Sequence, residues 1–200
     1  MPIFTKAEDF IAFETVLQEA VARTGTRLVS YCLMGNHWHV VVWAQEDDEL
    51  SRFVGWLTLT HTQRWHADRK STGSGHLYQG RFKSFPVQDD DHFLTVCRYV
   101  ERNALRANLV KRAEDWRWSS LYRWLSGTAP EKGLLSAWPL RRNAGWLDHV
   151  NSLQTDPELA AIRRSVNRGS PFGDETWATT ATRKLGLEIT TRPQGRPKLK

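Results

Sequence analysis

Apolar residues near the start of the chain recur at helical intervals. Phe10, Phe13, Leu17 and Val21 share one side of a helix that the spacing predicts over 7–23. Thr5 and Glu8 form a capping-box pattern ahead of it, and Gly25 supplies a stop behind it. The period then shortens. RLVSYCLM and HWHVVVW are β-rich runs parted only by Gly35 and Asn36, the composition of a tight hairpin. Acidic QEDDE follows, in which Asp47 or Asp48 can cap a second helix. Leu50, Phe53, Val54, Leu57, His61 and Trp65 mark the inner face of that helix.

RKSTGSG reads as a loop, and HLYQGRFKSFPVQ as a third strand with Gly80 at a bulge. Asp89, Asp90 and Asp91 open a helix over about 91–107, packed through Phe93, Val96, Cys97 and Val100. DWRWSSLYRWL predicts a short helix, and 131–150 is mixed. From about 155 the chain turns polar and basic. The expected fold class is α+β.

Composition narrows the class. The 200 residues suffice for one domain with a real core plus appendages. No apolar run approaches the ~20 residues of a membrane-spanning helix, and MPIFTKAEDF lacks the pattern of a signal peptide. Cys32 and Cys97 each lie in an apolar segment, which fits reduced core thiols in a cytoplasmic protein. The net charge of +6 is uneven. Residues 163–200 hold nine Lys/Arg against three Asp/Glu, whereas the preceding residues hold nineteen of each. A localised basic segment fits a polyanionic partner or a solubilising tail. Ten tryptophans are expected mostly in packing roles, with a few free to stack on unpaired bases.

The chemistry-bearing residues fall in two places. His37 and His39 sit two apart on a strand, so both imidazoles face the same way and Trp38 faces the other. Such a pair can hold a divalent ion, and a structural role is the ordinary alternative. Tyr99 and Asn103 lie four apart on the helix within RYVERN, hence on one side. Tyr78 is the rival hydroxyl. Arg81 and Lys83 alternate around Phe82, while Arg98, Arg102 and Arg106 form a stripe at four-residue steps. Phosphate contact or surface ion pairing would suit either set.

GNHWHVVVW, YQGRFKS, RYVERNALRANLV and DWRWSS, in that order, resemble the IS200-like tyrosine transposases, specifically the REP-associated branch, among the HUH endonucleases. The resemblance covers about 1–125. It implies a ferredoxin-like antiparallel sheet, for whose first, central strand this sequence offers no run ahead of MPIF. It also implies Tyr99 as nucleophile, His37, His39 and Asn103 as ligands of Mg²⁺ or Mn²⁺, and a 5′-phosphotyrosine intermediate. The implied partner is single-stranded DNA bearing hairpins, REP-like or at transposon ends, bound by a monomer or homodimer. The alternative is a noncatalytic hairpin-binding remnant. Gly35, Ala104 and Asn108 depart from the family pattern without touching the chemistry. On this reading 1–125 is the catalytic domain, 126–155 a helical extension and 156–200 a basic tail. Within the tail, RPQGRPK around Arg196 resembles an AT-hook core suited to duplex DNA.

Overall fold

The computed structural model describes residues 2–73 and 75–192. They form an α+β fold whose elements run α1 (Ala7–Thr24), β1 (Arg27–Met34), β2 (His37–Trp43), α2 (Glu49–Asp68), α3 (Asp91–Glu101) and α4 (Asn103–Arg106). After a 3₁₀ turn at Ala113–Asp115 come α5 (Ser120–Ser126), α6 (Ala129–Lys132), α7 (Trp146–Asn151), α8 (Asp156–Arg168), α9 (Glu175–Lys184) and α10 (Glu188–Thr191). The chain divides into two compact units, Met1–Phe82 with Cys97–Ser152, and Lys83–Val96 with Leu153–Lys200. The residues expected as a helical extension up to 152 thus cluster with the hairpin.

The first unit is organised around the β1–β2 hairpin. Met34 pairs with His37, Cys32 with His39, Leu33 with Trp38 and Tyr31 with Val40. Strand alternation therefore gives the hairpin two different faces. Tyr31, Leu33, Trp38, Val40 and Val42 join Phe13 and Leu17 of α1 and Phe53 and Leu57 of α2 in the main apolar core. Cys32 and Ser30 face the other way. The buried Ser30 hydroxyl meets Ser120 Oγ at 3.0 Å.

Local signals set the helix ends. Gly25 terminates α1 at φ 71°, a conformation that costs glycine little, and its N–H reaches the Val21 carbonyl. At the start of α1 the carboxylate that reaches back is Asp9 rather than the expected Glu8. Its Oδ2 accepts from the Thr5 N–H at 2.8 Å and the Thr5 hydroxyl at 3.0 Å. The predicted 91–107 helix is two segments parted at Arg102, and Asn108 adopts φ 57° just beyond them.

Among the described residues the sheet has only the two hairpin strands. Residues 76–88, expected as a strand, form none. Val87 alone makes a parallel bridge to Phe172. Alternation by itself does not make a strand. It needs a neighbouring edge, and Pro86 removes a donor besides. The outer edge of β1 is covered by other groups. Leu33 N–H donates to the Trp118 carbonyl at 2.9 Å. The Trp116 indole donates to the Leu33 carbonyl at 2.8 Å, and the Trp138 indole to the Val29 carbonyl at 2.7 Å. Two of the ten tryptophans thus satisfy strand backbone that would otherwise be orphaned.

In the second unit the described part of the expected basic tail is helical. Thr155 and Asp174 cap α8 and α9, accepting from the N–H groups of Glu158 and Trp177. Gln88 clamps Asp174 with two bonds of 2.8 Å, and Arg168 Nε donates to the Thr190 carbonyl at 2.7 Å. Caps and these cross-links order a segment whose composition is polar and basic. Arg196 and its AT-hook-like motif lie outside the described residues. No described helix is long and apolar enough to cross a membrane.

Candidate active site

β2 sets His37 and His39 on one face, with ring centroids 5.0 Å apart and nearly perpendicular. The same face receives the α3–α4 segment. The Tyr99 ring stands edge-on to His39, 5.9 Å between centroids. Residues 60 positions apart in sequence are thereby neighbours. Tyr99 is 8 % exposed, so its ring is packed rather than displayed.

Arg106 completes the group. Its guanidinium lies 4.0 Å over the Tyr99 ring centroid, donates to Asn103 Oδ1 at 2.8 Å and reaches the Tyr99 carbonyl at 3.3 Å. One cation therefore holds both the phenol and the amide. The opposite side of the Asn103 amide, Nδ2, is buried without a hydrogen-bond partner among the described residues.

The electrostatics keep both imidazoles neutral. Burial is the main cause in each case. His37 lies below the usual histidine range through burial and then Arg106. His39 is pushed down to about 3 by burial, with His37 and Arg106 adding to the effect. Neutral imidazole is the form that ligates metals. Asn36 Oδ1 sits 2.7 Å from His37 Nδ1, so that nitrogen carries the hydrogen and Nε2 keeps its lone pair. The imidazole pair therefore suits a divalent ion. No group of three His, Cys, Asp or Glu side chains gathers for a metal among the described residues. Further ligands would have to be an amide, a phosphate or water. The Asn103 oxygen keeps a second lone pair beside the one that Arg106 engages, and the guanidinium charge there opposes a cation.

The predicted cations part company. Arg81 is exposed beside exposed Phe82, as a strand contact requires. Lys83 is exposed and donates to Asn167 Oδ1 at 3.1 Å within the second unit. Arg98 and Arg102 are buried, and their expected phosphate role gives way to an internal one. Arg98 Nε donates to the His149 carbonyl at 2.8 Å, and Arg102 to the Asn151 carbonyl at 2.8 Å and the Val150 carbonyl at 3.1 Å. They satisfy the last carbonyls of α7, where a helix end favours positive charge. Tyr78 is also committed. Its hydroxyl accepts from Trp38 Nε1 at 3.2 Å and lies 2.6 Å from His61 Nδ1.

Sequence reasoning gave Glu101 no part beyond surface ion pairing with the arginine stripe, yet it is fully buried between Tyr99 and Asn103. The signal was present. Phe93, Cys97 and Glu101 recur at four-residue steps, so the glutamate belongs to the packing side of the helix.

Comparison with known proteins first gives the class, that of DNA transposases. The chain belongs to the IS200-like transposase family, whose model matches residues 2–103, about half the chain, and includes His37, His39, Tyr99 and Asn103. No curated protein and no solved structure matches.

Proposed function

We propose that this transposase-family chain cleaves and rejoins single-stranded DNA through Tyr99. The observation that supports this best is the convergence of His39, Tyr99 and Arg106 on one face of the hairpin. The Tyr99 oxygen attacks phosphorus at the scissile link. The bond from phosphorus to the 3′ oxygen breaks, the phenol loses its proton, and the departing 3′ oxygen gains one. A 5′-phosphotyrosine retains the phosphodiester energy. A second 3′-hydroxyl reverses the step and regenerates the phenol, a better leaving group than an alkyl alcohol. Arg106 supplies positive charge beside the reacting phenol, and Arg81 and Phe82 offer phosphate and base contacts to the strand. His37 and His39 would hold Mg²⁺ or Mn²⁺, which when bound polarises the phosphate. The substrate proposed is a hairpin-bearing single strand, REP-like or at a transposon end, and nucleoid association follows from such a partner.

The test is to incubate the protein with a hairpin-bearing single strand and Mn²⁺ and to look for a denaturant-resistant adduct. Tyr99→Phe should abolish the adduct and leave binding nearly unchanged. An adduct that persists in this variant, or maps to Tyr78, rejects Tyr99 as nucleophile. Strand binding with no adduct from the wild type would favour the second reading, a noncatalytic hairpin-binding protein. That reading has one observation behind it, the Arg106 cation 2.8 Å from the Asn103 oxygen, whose charge opposes a metal ion there.

A further inference from the structure

The carboxylate of Glu101 has no exposure, yet it is surrounded by polar groups from four other segments. Trp146 Nε1 of α7 donates to Oε2 at 2.8 Å. The Ser120 hydroxyl of α5 donates to Oε1 at 3.1 Å, and Arg142 approaches the same oxygen at 3.5 Å. Ser30 of β1 also hydrogen-bonds the carboxylate, and its hydroxyl lies 3.0 Å from that of Ser120. Arg142 is itself fixed between two indoles, 4.0 Å from the Trp124 ring and 3.9 Å from the Trp138 ring.

The placement of this network matters more than its strength. α3 ends at Glu101 and α4 begins at Asn103, so Tyr99 and Asn103 belong to separate helical segments that meet at this carboxylate. Ser30 pairs with Val41 on the strand that carries His37 and His39. Glu101 thereby ties the phenol-bearing helix to the imidazole-bearing hairpin on the same face of the sheet. Stability alone does not call for an ionisable group here, since a packed apolar residue commonly does as well as a buried ion pair. Directed hydrogen bonds set one orientation where apolar packing tolerates several.

We propose that Glu101 is a positioning residue of the strand-transfer site, holding α3 and the Tyr99 side chain in register with the His37–His39 strand through Ser30, Ser120, Arg142 and Trp146. This rests on the Tyr99 reading above. Glu101 touches no substrate. Its effect is on the rate of attack, because displacement of a reacting group by about 1 Å costs on the order of a hundred-fold.

The experiment compares Glu101→Gln, Glu101→Leu and Trp146→Phe with wild type. Adduct formation is timed at saturating hairpin-bearing strand with Mn²⁺. Strand affinity is measured separately with each change in a Tyr99→Phe background. The expected rates fall in the order wild type, Gln, Leu, with Leu at least about ten-fold down and Kd within about three-fold throughout. Trp146→Phe, which removes one donor, should fall between wild type and Leu. If Leu does not fold, Gln and Trp146→Phe carry the comparison. Folded variants with wild-type rates, or affinity falling in step with rate, overturn the positioning role. Failure of all three to fold reduces Glu101 to a folding requirement and overturns it too. A wild type that makes no adduct refutes the nucleophile reading itself and this role with it, an outcome distinct from variant-specific loss.

Discussion

The guanidinium of Arg106 lies face-on over the Tyr99 ring, 4.0 Å from its centroid, while its Nη2 donates to Asn103 Oδ1 at 2.8 Å. Both partners precede it on the same α3–α4 segment, so the bracket is local. Its charge also reaches the hairpin, where it helps keep His37 and His39 neutral.

Arg106→Ala should therefore do two separable things. The adduct rate should fall by about a hundred-fold, the scale for loss of a group stabilising developing charge. The pKa values of His37 and His39 should both rise, since a repelling cation is gone. Histidine titration by NMR reads the second effect without any DNA. Unmoved titrations would show that Arg106 does not govern the imidazoles.

Arg98 and Arg102 answer to a different measurement. Each satisfies carbonyls at the end of α7. Truncation to Ala should lower folding stability by about 2 kcal/mol, because part-buried helix-end carbonyls lose charged donors. The salt dependence of strand binding should stay as in wild type for any fraction that folds. Exposed Arg81 should behave in the opposite way. Arg81→Ala should leave the denaturation midpoint in place and reduce the salt slope by about one phosphate equivalent.

His61 gives the fold a pH dependence. It is 2 % exposed, and burial is the main cause that pushes its pKa down to about 4, with Arg69 adding to the effect. The unfolded chain takes up the proton near pH 6.5, the folded chain only near 4. Between those values unfolding binds a proton, so stability falls as pH drops through that window. The loss from this residue should be about 2 kcal/mol between pH 6.5 and 5. Trp38 donates to the Tyr78 hydroxyl, which leaves the Tyr78 hydrogen for His61 Nδ1, and protonation of His61 sets two donors against each other. His61→Asn should flatten the slope in denaturant titrations at pH 7 and 5. An equally steep slope would place the proton uptake elsewhere.

Metal dependence can be examined through Asn36, which orients the His37 ring without itself being a proposed ligand. Asn36→Ala should raise the Mn²⁺ concentration needed for half-maximal adduct by about ten-fold. His37→Ala should raise it further, and chelation should stop the reaction reversibly. Full adduct formation in excess chelator would refute a role for the ion.

The elements were legible where a short-range rule decides them. Period, the Gly25 stop and the Gly35–Asn36 turn placed α1, the hairpin and α2, while the expected side-chain cap of α2 at Asp47 or Asp48 does not form. The two-residue spacing put His37 and His39 on one face whatever packs against them. The same reasoning misjudged 76–88, because a strand depends on a partner edge that local pattern does not encode. It also read Arg98 and Arg102 as surface charge. Their spacing makes them a stripe on the helix, but only the packing of α7 turns that stripe inward.

By itself, then, the sequence determined which side chains share a strand face or a helix face, since backbone geometry dictates those relations within a few residues. Tertiary structure alone decided that the His39 face meets Tyr99 and that Glu101 is enclosed by Ser30, Ser120, Arg142 and Trp146. Those are long-range contacts between elements far apart in the chain, and burial of the whole core chooses them.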